Sequence, residues 1–320
     1  MSQQQALVQA PNSDTLLDLF VEDCHVRGLT DETSRRYKSI VGHFLKFVAQ
    51  SGVQPVNVDK HVLQDYVRMR RSNGIDQKTL ENEISGVSSF YEFLAFEDYV
   101  RKNPVPEVRK RYLTPYKKEN ESDVESPRKL ISVEEMSMLI NSIVDARDKA
   151  VLTLLAKTGL RRGELISLNV TDINWTEQSI TRQRKQFKKR SGRTIFIDGE
   201  TSRVLQRWLK QRESMRPDTP ALFVGEKRGR LKRNGIYSMV TKHAEHVGLH
   251  DSKSPNVEDH FTPHCFRHWF TTHLRRAGMD REFIKILRGD RRRDAISIYD
   301  RVDSSELRRA YLAFIPQLGL

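Results

Sequence analysis

Between residues 14 and 95, apolar side chains recur every three or four positions in four runs separated by polar turns. That period predicts four amphipathic α-helices, each burying one face. The first run carries Leu16, Leu17, Phe20 and Val21; the second, opened by Thr30 as an N-cap, carries Tyr37, Ile40, Val41, Phe44, Leu45 and Val48. The third holds Val62, Leu63, Tyr66, Val67 and Met69, and the fourth Leu80, Ile84, Val87, Phe90, Tyr91 and Leu94. Together they predict a compact helical bundle. Asn103-Pro104-Val105-Pro106 stops it, and the charged stretch that follows is poor in large apolar groups, as expected of a linker. The expected division is a disordered, Gln-rich start over 1–12, a helical domain over 13–104, a linker over 105–130 and a second domain over 131–320.

The second domain opens on Ser132-Val133-Glu134-Glu135, a capping-box pattern, followed by one long predicted helix through Met136, Leu139, Ile140, Val151, Leu152 and Leu155 that ends near Gly159. Ser179 to Phe187 and Thr194 to Ile197 alternate apolar and polar residues around a basic tip, which predicts a β-hairpin. Everything after Glu200 reads mostly as helix. The fold class expected is therefore mainly α with a small antiparallel sheet. The tail from Ser304 to Leu320 has an apolar face through Leu307, Tyr311, Leu312, Phe314, Ile315 and Leu318 and no obvious core left to join. A last helix packed within its own domain is one account of it, and docking on another surface is an equal one.

Charge sharpens this division. The 320 residues carry a net charge of +13, and residues 1–104 hold 12 Lys and Arg against 14 Asp and Glu, so the remainder holds 43 against 28. The whole basic excess lies in the later part of the chain, as on a surface that meets a polyanion. Residues 182–193 contain seven basic residues, Arg182, Arg184, Lys185, Lys188, Lys189, Arg190 and Arg193, and no acid occurs from Gln178 to Ile197. A second basic run extends from Lys227 to Arg233. Solvated, solubility-promoting charge is the plainer reading of such runs.

Only Cys24 and Cys265 are present, without CxxC or His/Cys spacing, which predicts no zinc site and fits a reducing cytoplasm. The first residues lack a basic and apolar leader, and no run approaches eighteen apolar residues, so neither secretion nor membrane spanning is expected.

Four polar side chains suit attack on a phosphodiester. Arg161 lies in Thr158-Gly159-Leu160-Arg161-Arg162-Gly163-Glu164-Leu165, His264 and Arg267 share one face of a predicted helix over 263–276, and Tyr299 follows among basic residues. Two guanidiniums can hold both non-bridging oxygens, an imidazole can hydrogen-bond or move a proton, and a phenol can act as nucleophile when cations assist its ionisation. Blander accounts exist for each. Arg161 could pair with Glu164, His264 could satisfy a helix start, and Tyr299 could pack half-buried. A His264/His268 zinc pair lacks a third ligand.

Three boxes in order then make the chain resemble the tyrosine recombinases, the phage integrase and Xer superfamily. Thr158 to Leu165 resembles the family's first-arginine box, and His264-Cys265-Phe266-Arg267-His268 its HxLRH box. Leu287-Arg288-Gly289-Asp290, with Tyr299 nine residues later, resembles the LLGH box and nucleophile. The resemblance implies a SAM-like core-binding domain and a catalytic domain that clamp double-stranded DNA. Tyr299 would form a 3′-phosphotyrosyl bond, with strand exchange through a Holliday junction in a tetramer on paired recombination sites. Bond energy is kept in the ester, so no cofactor, metal or ATP is implied. The family's general-acid lysine maps onto Lys188 counting back from the second strand, or Lys185 counting along the first. Lys189, Arg190, Arg193, Arg184 and Arg182 would contact DNA. The C-terminal helix would dock on a neighbouring protomer, and the enzyme would work in the cytoplasm on the nucleoid.

One position departs from the pattern. Asp290 stands where the family usually has histidine or tryptophan, and an ionised carboxylate can only accept hydrogen bonds and repels phosphate. It could instead orient Arg267 or Arg291, or another donor could substitute; divergent archaeal and viral members of the family resemble this chain in carrying Arg-Gly-Asp, so activity is still expected. Two other activities fit the same groups: a type IB topoisomerase, which would relax DNA lacking any special site, and a DNA-binding relative impaired in catalysis.

Overall fold

The computed structural model describes residues 11–113, 129–182, 193–225, 227–290 and 303–320. The chain splits into two compact units, Met1–Glu121 and Ser122–Leu320, each with its own apolar core. No described helix is long and apolar enough to cross a membrane.

In the first unit α1 (Ser13–Val26), α2 (Asp31–Gln50), α3 (Lys60–Ser72) and α4 (Gln77–Phe96) follow the four predicted runs. Each starts where a side chain satisfies the orphan backbone N–H groups of the first turn: Asn12, Thr30, Asp59 and Asp76 all accept such bonds. Their apolar faces meet in an aromatic core. Phe20 packs edge-on against Phe90 at 5.5 Å, and Phe44 against Tyr66 at 5.1 Å. Gly86 lets α4 approach α2, because a Cβ there would stand 2.9 Å from Ile40.

The expected linker starts too early. Residues 105–113 form α5 (Val105–Val108) and a π-turn (Arg109–Leu113), and Val105, Val108 and Leu113 are buried in the first core. Arg71 Nη2 and Gln77 Nε2 donate to the Tyr112 and Leu113 carbonyls at 2.7 and 3.2 Å, tying the segment to α3 and α4. Three apolar residues among many charges are too few to register as a periodic run, yet enough to close an open edge of the bundle.

The second unit begins with α6 (Val133–Asn141), whose capping box is formed as expected, and α7 (Ala146–Thr158). These are two helices, where the sequence predicts one. Asp145 caps α7 by accepting the Asp148 N–H at 2.8 Å, and the buried Ile143 fills the corner between them. Every residue of α7 from Ala150 to Thr158 is buried, so α7 is the central helix, packed by α9 (Gly199–Ser214) and α11 (Pro263–Arg276). Between lie the short α8 (Arg162–Ile166) and an antiparallel sheet β1 (Ile173–Asn174), β2 (Ser179–Arg182) and β3 (Arg193–Phe196) in the order β1-β2-β3. The strands β2 and β3 bear out the hairpin pairing; β1, two residues long, carries no alternation to detect. Register pairs Ile180 with Ile195, and both are buried. Then come α10 (Arg233–His246), α11, α12 (Arg281–Arg288) and α13 (Ser304–Phe314).

The tail packs within its own unit. Leu307, Tyr311, Ile315 and Leu318 join the second core, and the backbone beyond α13 is held by polar groups. Glu200 accepts the Leu318 and Leu320 N–H groups at 2.9 and 3.0 Å, and Lys157 Nζ, fully buried, donates to the Pro316 carbonyl at 2.6 Å. Lys157 also pairs with Asp198 at 2.7 Å and Glu200 at 2.5 Å. This buried cation was invisible in the sequence except as a lysine inside an otherwise apolar helix.

Candidate active site

α7 ends on Gly159 in the left-handed conformation at φ 58°, where a Cβ would meet Phe270 Cδ1 at 2.6 Å. The reversal sets Arg161 at the N-cap of α8. There Glu164, itself buried, accepts the Arg161 backbone N–H at 2.9 Å and one guanidinium N–H at 3.3 Å. The expected Arg161–Glu164 pairing is therefore present, but it supports the guanidinium rather than consuming it: Arg161 Nη2 extends to Asp290 Oδ1 at 3.0 Å.

Arg267 reaches the same atom from α11. Its Nη1 donates to the carbonyls of Gly159 at 2.8 Å and Arg288 at 3.1 Å, and its Nη2 donates to Asp290 Oδ1 at 2.7 Å. The side chain is 4% exposed. Burial, then the cations of Arg161 and Arg288, push its pKa down to about 10, which leaves it protonated at neutral pH. Asp290 is placed by the end of α12, where Gly289 turns left-handed at φ 64° and the Asp290 N–H bonds the Lys285 carbonyl at 3.0 Å. Its second oxygen, Oδ2, lies 3.1 Å from Arg288 Nε, an ion pair without hydrogen-bond alignment.

Two guanidiniums from remote parts of the chain thus converge on one anionic oxygen. Arg161, Arg267 and Asp290 are brought together, and Asp290 bonds the Arg267 guanidinium as one of the considered roles has it. His264 is exposed one turn before Arg267, at the second position of α11. Arg182 and Arg193 are register partners in the β2–β3 ladder. Tyr299, Lys185, Lys188, Lys189, Arg184, Arg190 and Arg291 lie outside the described residues. Among the described residues no group of three His, Cys, Asp or Glu is placed to hold a metal ion.

Sequence reasoning missed Arg288, which contributes both a carbonyl to Arg267 and a charge to Asp290; it sat inside the quoted box without a role. In the second basic run, Lys227 to Arg233, one arginine is taken up by the fold. Arg230 is structural, its guanidinium binding the Ile166 and Leu168 carbonyls at 2.6 and 3.0 Å and the Asn169 side chain at 2.6 Å. That clamp fixes the chain leaving α8, and Gly163 leaves room for the Arg233 guanidinium, 3.3 Å from where its Cβ would be.

Residues 17–98 match the N-terminal SAM-like domain of phage integrases, and residues 129–306 match the phage integrase family. With a catalytic match over more than half its length, the chain belongs to the phage integrase family. It is a tyrosine recombinase, an enzyme that cleaves and rejoins DNA site-specifically. Among its relatives, the tyrosine recombinase XerD of Oceanobacillus iheyensis is 27% identical over 300 residues, covering 91% of this chain and 94% of that protein. Tyrosine recombinase XerC of Herpetosiphon aurantiacus is 26% identical over 294 residues, covering 87% of each. The fold is shared with the XerH site-specific recombinase bound to palindromic difH substrate (TM-score 0.67, 19% identity, 96% of this chain and 82% of that one). It is shared equally with the Tn1549 transposon integrase in complex with transposon right end DNA (TM-score 0.64, 18% identity, 93% and 98%).

Proposed function

We infer that the two arginines grip the scissile phosphate while Tyr299 attacks it. The observation that carries this reading is the convergence of Arg161 Nη2 and Arg267 Nη2 on a single carboxylate oxygen, at 3.0 and 2.7 Å. Two such donors that reach one anionic oxygen together suit the equatorial oxygens of a pentacoordinate phosphorane, whose extra charge they stabilise without reorganising. The phenolic oxygen of Tyr299 forms the new P–O bond and loses its proton, the 5′-oxygen leaves, and Lys188, or Lys185, protonates it from the hairpin. His264, exposed beside Arg267, donates to the phosphate or accepts the phenol's proton. Rejoining reverses these steps with the 5′-hydroxyl of a partner strand as nucleophile. The two units clamp duplex DNA, four copies assemble on paired sites, and basic residues Arg182, Arg184, Lys189, Arg190 and Arg193 follow the backbone.

A nicked suicide duplex, from which the cleaved fragment diffuses away, tests this. The wild-type protein becomes covalently trapped, Tyr299→Phe does not, and DNA affinity is nearly unchanged. Equal trapping by the variant would identify another nucleophile.

A further inference from the structure

We propose that Asp290 is an internal anion seated where the DNA phosphate binds, and that phosphate binding moves its carboxylate from the Arg161–Arg267 pair onto Arg288. The inference rests on the reading of those two arginines as phosphate ligands.

Asp290 Oδ1 accepts from both guanidiniums at once, which is how a non-bridging phosphate oxygen would be held. Three of the five guanidinium hydrogens of Arg267 are committed within the protein. Both Nη1 hydrogens go to the Gly159 and Arg288 carbonyls, Nη2 carries the Asp290 bond, and the side chain is nearly inaccessible. A phosphate oxygen that takes the Nη2 hydrogen now held by Asp290 must displace the carboxylate. Both cannot stay, because two anions within one hydrogen-bond shell repel each other in a poorly solvated site.

The carboxylate has a second seat within reach. Arg288 Nε is buried and, among the described residues, has no hydrogen-bond partner, although Asp290 Oδ2 is only 3.1 Å away. A rotation about the Asp290 side-chain torsions would align that pair. The backbone need not move, since the Gly289 turn and the bond to the Lys285 carbonyl hold it. The device also explains why an acceptor-only residue is tolerated here. Among the described residues three arginines crowd one spot, and Asp290 with Glu164 offsets two of those charges, so the guanidiniums stay ordered instead of repelling one another apart.

The measurement compares wild type with Asp290→Asn in two assays. Titration with inorganic phosphate, followed as a rise in melting temperature, should show at least about five-fold tighter binding in the variant, because the internal competitor is gone. That readout does not depend on catalysis, so it stands apart from the trapping test of Tyr299. At subsaturating nicked duplex the variant should also trap faster. Equal phosphate affinity in the two proteins overturns the proposal, as does slower trapping by the variant at saturating DNA, which would make Asp290 a positioning residue needed in place. Should Asp290→Asn fail to fold, a structure of the wild-type protein on its DNA decides: a carboxylate still bonded to both Arg161 and Arg267 beside the bound phosphate sinks the idea.

Discussion

At the scale of single residues, the site is held by backbone as much as by charge. The Gly159 carbonyl accepts from Arg267, and Gly159 adopts a left-handed conformation beneath Phe270, so this glycine sets the position of Arg267 as well as the turn that leads to Arg161. Gly159→Ala should cost about 1–2 kcal/mol from the positive φ, with more from the Phe270 clash. It should also lower covalent trapping by more than its stability loss accounts for, because the carbonyl shifts with the turn. Urea denaturation alongside the suicide-substrate assay checks both, and a variant that is less stable yet traps normally would show that the carbonyl is not a guide for Arg267. By contrast, Arg161→Lys keeps the charge but loses the planar fork, and trapping should fall about 10²–10³-fold with little change in stability.

Among elements, α7 does most to join structure to site. One end carries Gly159 into the arginine pair, and its face carries Lys157 into a buried cluster with Asp198 and Glu200 that also fastens the tail. Burial alone would push both carboxyls up, but the Lys157 ammonium and hydrogen bonds outweigh it and hold them below their ordinary range. Folding thus depresses these pKa values, so the cluster contributes stability above the unfolded carboxylate values and loses it as pH falls through the lower, folded ones. Thermal unfolding should show the second unit weakening below about pH 4. Lys157→Met should destabilise by about 3–5 kcal/mol at pH 7, because two buried carboxylates then face each other. Its stability should improve on mild acidification, opposite to wild type. A variant with the wild-type pH profile would mean that the cluster is not what senses acid.

For the whole molecule, the charge asymmetry predicts how DNA is held. The basic excess lies after residue 104, so affinity for duplex DNA should come mainly from the second unit and fall steeply with salt. Replacing Lys188, Lys189 and Arg190 with alanine should flatten the plot of log affinity against log salt by up to about 0.9 per lost phosphate contact, and should weaken binding to unrelated sequences as well. An unchanged slope in a gel-shift or anisotropy titration would place the contacts elsewhere.

The sequence by itself determined the helical bundle, because the spacing of Phe20, Phe44, Phe90 and their neighbours is a local property and each run carries its own cap. It likewise marked Arg161, His264 and Arg267, whose boxes are short and contiguous. Tertiary structure decided what no local pattern encodes. Val105, Val108 and Leu113 are core rather than linker because an open edge of the bundle receives them, and the tail packs in cis because Lys157 and Glu200 meet its backbone. Asp290 takes its place between two arginines because α8, α11 and the end of α12 converge there. Spacing along a chain sets which face a side chain occupies, whereas the partner of a buried charge is chosen only when distant segments exclude water together.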